Sequence, residues 1–241
     1  MTNNTPGEVK SEKPKMGLGS ILLGLTSLIG LPLSLFLSAG RWDWWQAWVY
    51  VGVTLLGTIF SRLIMAKTNP GLVRERSQSI SAGDVKRWDK WIMPYAAVFG
   101  PLLVFVIAGL DERFGWMPDI PQWLFGVGIV VILSAIAFST WAMVVNRFFS
   151  GTVRIQTERG HHVVSSGPYR LIRHPGYLSG AIGYLAMPLI LGSTWAFIPA
   201  VVGIMVIVLR TWLEDKTLQE ELPGYHEYAK QTRYRLIPGV W

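Results

Sequence analysis

The sequence predicts an all-α fold: a polytopic transmembrane helical bundle of about six membrane segments, ending in a helical hairpin. Three observations carry this. Only 15% of the 241 residues are charged, against about 25% in a soluble domain. Four apolar runs, at 16–39, 45–65, 92–110 and 123–145, match the roughly 20 residues that a helix needs to cross the hydrocarbon core. Lys and Arg gather in alternate connections, as positive-inside topology requires.

The elements follow in order. Residues 1–15 are polar, hold Pro6, Gly7 and Pro14, and read as a mobile tail. Residues 16–241 read as one membrane domain. Its first run follows Lys10, Lys13 and Lys15, as a cleaved signal would. The run is long and completes the charge alternation, so it is taken as the first crossing. A fifth apolar stretch, 177–212, is too long for one helix and is broken by Gly192, Ser193 and Thr194. A hairpin is the reading, with a short first arm that either tilts or stops inside the protein. Of the 22 Lys and Arg residues, only Arg41 and Arg113 fall in the connections assigned to the outside. Trp42, Trp44, Trp45, Trp48, Trp88, Trp91, Trp116, Trp123, Trp195 and Trp212 lie near segment ends, where amphipathic rings favour the interface. A multi-pass protein with both termini cytoplasmic, in the cell membrane, fits this map. The net charge of +7 is then topological bias and contact with membrane lipid heads rather than a nucleic-acid footprint.

No cysteine is present, which removes disulfides, thiolate metal sites and a Cys nucleophile. Polar chemistry concentrates in the last hundred residues. The connection GTVRIQTERGHHVVSSGPYRLIRHPGY, 151–177, is long for a loop and holds three of the four histidines. A second cluster, RTWLEDKTLQEELPGYHEY, spans 210–228. Arg210 and Glu214 share a helical face, and Pro223–Gly224 ends that helix. The hairpin would bring both clusters together as a pocket opening on the membrane. Arg173, His174 and Arg210 could hold an anion. Glu214 and Asp215 could hold a cation, with Tyr169, Tyr177, Tyr225 and Tyr228 as aromatic faces. A ligand with a carboxylate and a sulfonium suits that mixture.

The motif wording goes further. HHVVSSGPYRLIRHPGY resembles the cofactor segment of the isoprenylcysteine carboxyl methyltransferase and phospholipid methyltransferase superfamily. Arg210, Glu214 and Asp215 resemble its second motif, an Arg followed after three residues by two acids. The resemblance covers about 140–241, so 146–241 is expected to form the cofactor site. It implies an integral membrane methyltransferase using S-adenosylmethionine. The cofactor contacts it implies are His161, Val164, Gly167, Tyr169, Arg173, His174, Pro175, Tyr177 and Glu214. Arg210 and Glu214 are the implied catalytic pair; Arg210, Asp215 and Asn146 are the expected acceptor contacts. The acceptor is a lipophilic or lipidated molecule from the bilayer. An isoprenylcysteine-like carboxylate is favoured, with a phospholipid or other lipid amine as the alternative. Two departures stand out: Asp215 where Glu is usual, and Leu222–Pro223–Gly224 where Phe-Gly precedes the later Tyr.

Plainer readings compete. His161, His162 and His174 make a poor metal set without Cys or HExxH, so no metal is expected. Arg210 and Glu214 could be only a surface pair, and Tyr169 and Tyr177 interfacial anchors. Asn146 and Gln156 either line the pocket or satisfy backbone groups. Gly126 and Gly128 read as a helix-packing surface, and His226 as solvated. A sterol-reductase-like enzyme or a non-catalytic membrane binding protein are the other function classes; the first would bind a nicotinamide cofactor instead. The charge map makes a test: a reporter active only outside the cytoplasm, fused after Trp241, should stay silent, and a strong signal overturns the six-segment topology.

Overall fold

The computed structural model describes residues 22, 24–78, 84–116 and 120–241. The expected tail, 1–15, and residues 16–21 and 23 of the first apolar run lie outside the described residues. Eight helices and no strand occur among the described residues: α1 Thr26–Ala39, α2 Trp45–Thr68, α3 Pro70–Gln78, α4 Asp89–Phe114, α5 Trp123–Val145, α6 Pro175–Leu191, α7 Phe197–Glu221 and α8 Tyr225–Gln231. Four of them, α2, α4, α5 and α7, are long and apolar enough to cross a membrane; α1 and α6 are shorter apolar helices. The 177–212 stretch is a hairpin, turning through Gly192, which adopts φ +72°. The protein is a helical membrane bundle.

Its surface confirms the solvent it is built for. Leu56, Phe60, Val130 and Trp91 are 68%, 64%, 64% and 84% exposed, and such apolar cladding would be a liability in water. Lipid cannot drive helices together as water does, so association rests on close packing and internal hydrogen bonds. Helix α5 packs along α6 and α2, α1 along α4, and α7 against α6 and α4. Gly128 of α5 makes close contact with Ile190, whereas Gly126 faces open space, so one half of the expected packing pair serves that purpose. Thr140 donates to Ser61 across α5 and α2 at 2.9 Å. At the opposite end from the long loop, Ser193 donates to Asp111 at 2.6 Å.

Helix α4 changes register midway. Residues Tyr95–Phe99 form a π-helical turn in which the Gly100 N–H bonds to the Tyr95 carbonyl. In that register Ala96 would be served by residue 101, but Pro101 has no N–H to give. The Tyr184 hydroxyl of α6 donates to the Ala96 carbonyl instead, at 3.0 Å. Tyr184 fits because α4 and α7 present Gly100 and Gly203 to it; a Cβ there would stand 2.1 Å from its hydroxyl and 2.3 Å from its ring. The register change sits beside the cavity described below, as π turns often do at functional sites.

Helices α1 and α4 approach closely at Gly109, where a Cβ would meet Ser38 Oγ at 2.0 Å and the Leu35 carbonyl at 2.8 Å. Backbone on the facing side leaves little room to yield. Gly109→Ala should therefore cost about 1–3 kcal/mol, the usual range for overpacking. A melting temperature in detergent equal to wild type would show that these helices separate freely.

Candidate functional site

The connection between α5 and α6 is a folded unit rather than a tether. Gln156 is almost wholly buried. Its amide nitrogen donates to the Phe148 carbonyl at 2.7 Å, and its side-chain oxygen accepts from Arg159. Phe148 is flanked by the His161 ring at 4.6 Å and by the guanidinium groups of Arg147 and Arg159 at 4.8 and 5.8 Å. Arg154 anchors this unit to α3. It donates to both oxygens of Glu75, at 2.9 and 3.0 Å, and to Asp84 and Glu158 at 3.0 and 2.8 Å.

His174 caps α6, and Pro175 opens it, where a missing N–H costs nothing. The turn before it is organised by Asp215 of α7, which has no exposed surface. Arg173 donates to both Asp215 oxygens, at 2.7 and 3.1 Å. His174 Nε2 lies 3.1 Å from Oδ1, and Gln219, Tyr225 and Arg235 donate at 2.7, 3.1 and 2.8 Å. The remaining Arg173 nitrogen donates to the Thr232 and Arg233 carbonyls, both at 2.8 Å. Backbone bonds from Arg173 N–H to Tyr234 and from His174 N–H to Arg235 complete the clasp, at 2.9 and 3.0 Å.

These elements enclose a cavity of about 440 Å³, within the range of small-molecule sites. Its lining combines the polar groups of His161, His162, Arg210 and Glu214 with Met93, Ala96, Ala97, Ser139 and Ile207 of the spanning helices. Asn146, His161, Val164, Tyr169, Arg173, His174, Pro175, Tyr177, Arg210 and Glu214, all expected at the site, do line this cavity.

Three expectations need correction. Asp215 does not line the cavity; it is spent on Arg173, His174 and Arg235 behind the wall, so it is no acceptor contact. Gly167 is also absent from the lining. With φ +57° it lets the chain turn against Val145 and Trp141, and a Cβ would stand 2.9 Å from Val145. The reading of Arg210 and Glu214 as a surface pair fails as well: buried Arg210 donates to both oxygens of Asp89, at 2.7 and 3.0 Å. Glu214 instead accepts a hydrogen bond from the Tyr177 hydroxyl. Of the Arg210 nitrogens, Nη1 alone has no hydrogen-bond partner among the described residues.

Sequence reasoning missed Asp89, Glu75, Arg154 and the Phe148–Phe149 pair, which also lines the cavity. Asp89 had one legible signal: an acid among Lys86, Arg87 and Lys90 at the mouth of an apolar run. A charge taken into such a run needs a partner.

Residues 123–223 match the phospholipid methyltransferase family. No curated protein matches the chain. The family belongs to the integral membrane superfamily of isoprenylcysteine carboxyl and phospholipid methyltransferases, the one that the motifs resemble. The matched segment holds α5, the loop, α6 and α7, which supply most of the cavity's polar wall. It indicates an integral membrane methyltransferase.

His161 offers a pH test. Burial, and after it the neighbouring His162, Arg154 and Arg159 charges, push its pKa down to about 4. The Gln156 N–H donates to His161 Nδ1 at 3.3 Å, which places the ring proton on Nε2. The unfolded chain takes up a proton near the ordinary value of about 6.5, before the folded protein does. The contribution of neutral His161 is therefore intact above that pH and is lost as pH falls toward 4. Melting curves from pH 8 to 4 should fall more steeply for wild type than for His161→Gln; parallel curves would show a solvated imidazole.

Proposed function

We propose that this protein transfers a methyl group from S-adenosylmethionine to a lipophilic acceptor that enters from the bilayer, with the loop end of the bundle on the cytoplasmic side. The observation that carries the reading is the cavity's mixed lining: His161, Arg210 and Glu214 together with small and apolar side chains of the spanning helices.

The polar wall fits the donor molecule by its chemistry. Glu214 lines the cavity beside Tyr177; the Arg210 charge is nearby, but Glu214 is in no salt bridge among the described residues. A carboxylate with an aromatic face suits a sulfonium. Arg210 Nη1 offers a charge-assisted donor for an anionic group. His161, neutral and protonated on Nε2, offers a donor that survives mild acid. When bound, the donor supplies an electrophilic methyl carbon, whose bond to sulfur breaks with the electron pair going to sulfur.

The protein's work is then placement and exclusion of water. The Tyr177 hydroxyl fixes Glu214 by donating to it, and Tyr177 in turn lies beneath the Arg210 guanidinium, 5.3 Å from its centre. Met93, Ala96, Ala97 and Ile207 would hold the acceptor's apolar body. A carboxylate acceptor is ionised near neutral pH and needs no base. A lipid amine, the acceptor suggested by the family's description, must lose a proton, and Glu214 is placed to receive it. An isoprenylcysteine-like carboxylate is the first candidate. Incubation with methyl-labelled donor and membrane lipids, followed by extraction and alkaline hydrolysis, separates esters from methylated amines.

The role of Glu214 has a sharper test, because the demethylated product, S-adenosylhomocysteine, lacks the sulfonium charge. By calorimetry, Glu214→Gln should weaken S-adenosylmethionine about tenfold more than it weakens the product, a differential of roughly 1.4 kcal/mol. Equal weakening would remove Glu214 from the sulfonium. Failure of wild-type protein to bind either molecule would overturn the methyltransferase assignment.

A further inference from the structure

Asp89 lies outside the segment matched by the family, in the first turn of α4, with no exposed surface. Its carboxylate accepts Arg210 Nε on one oxygen at 2.7 Å and Arg210 Nη2 on the other at 3.0 Å. The second oxygen also takes the Val153 N–H at 2.7 Å. Arg210 Nη2 donates in addition to the Gly151 carbonyl at 2.9 Å, and the Lys86 N–H donates to the Val153 carbonyl at 3.0 Å. Three pieces of chain therefore meet at one ion pair: the start of α4, the 151–153 stretch of the long loop, and the inner end of α7.

The geometry restricts what Arg210 can do. A free arginine turns its guanidinium plane at little cost. Here, turning it breaks two charge-assisted bonds to Asp89 and one to Gly151. The plane is also seated over the Tyr177 ring, whose hydroxyl holds Glu214. Stability alone accounts poorly for such a pair, since a buried ion pair often does no better than apolar side chains of the same volume. Orientation accounts for it well. Misplacing a group by about an ångström in a site of this kind costs on the order of 10²-fold in rate.

We infer that Asp89 is a positioning residue for the cavity: it fixes Arg210 so that Nη1 alone meets the anionic group of the bound ligand. The N-terminal half thereby takes part in the site, through a residue that touches no ligand itself. The identity of that ligand rests on the methyltransferase reading; the fixing of Arg210 by Asp89 does not.

Two measurements test this. The first is arginine modification by phenylglyoxal, followed residue by residue by mass spectrometry on the purified full-length protein without ligand. Arg210 should react far more slowly than exposed Arg170 in wild type, and faster in Asp89→Asn than in wild type. Arg210 reacting as fast as Arg170 in the native protein overturns the inference, whether or not Asp89→Asn can be purified. The second is methyl transfer per folded molecule. Asp89→Asn should lower it by about tenfold or more. In an Arg210→Gln background, Asp89→Asn should add no further loss, because the two act as one unit. A normal rate in Asp89→Asn, or losses that multiply, overturns the positioning role. A wild-type protein that transfers no methyl group counts against the methyltransferase reading, and the modification experiment then decides Asp89 alone.

Discussion

The cavity wall depends on one carboxylate that never reaches it. Asp215 has no contact with solvent, and it gathers Arg173, His174, Gln219, Tyr225 and Arg235 around its two oxygens. A lone charge so deeply buried would be strongly destabilising; removing one partner of a buried pair commonly costs about 3–5 kcal/mol. Here every lone pair is taken, so the cluster specifies one arrangement of the loop, α7 and the segment after α8. Arg173 belongs to this framework. Its guanidinium donates to Asp215 and to the Ala229, Thr232 and Arg233 carbonyls.

Asp89 and Arg210 repeat the device one turn of α7 deeper. Asp215 and Arg210 are on the same helix, but each pairs with a different part of the chain. Arg154, with Glu75, Asp84 and Glu158, adds a third node that reaches α3. The loop between α5 and α6 is thus held from three directions by ionic contacts, while the helices beneath it are held by small residues and a few hydroxyl bonds. That division follows from the solvent: ionic nodes sit toward the bundle end that carries the loop, and tight apolar packing serves where lipid gives no hydrophobic drive.

The fold was legible because membrane thickness imposes length on helices. Helix α5 spans the residues read from hydropathy, and the Gly192 break divided α6 from α7 as expected. Runs of apolar residues say nothing about register, so the π turn of α4 escaped notice, although Pro94 and Pro101 bracket it. Most of the lining was legible too, since the motif wording places His161, Tyr177, Arg210 and Glu214 together. What the sequence could not give was direction. Adjacent acids on a helix, Glu214 and Asp215, point to different places: one faces the cavity beside Tyr177, the other turns into the framework. Asp89 and Glu75 are partners from distant parts of the chain, and no local spacing announces such pairs.

The clasp on the turn before α6 has a consequence for how the protein is made. Arg173 and His174 give their N–H groups to Tyr234 and Arg235, and the Arg235 side chain completes the set around Asp215. Those residues leave the ribosome well after the turn they hold. While α6 and α7 are entering the bilayer, Asp215 lacks one cation and the turn lacks two backbone acceptors. The clasp on this turn can therefore be completed only after the residues of α6 and α7 have been made.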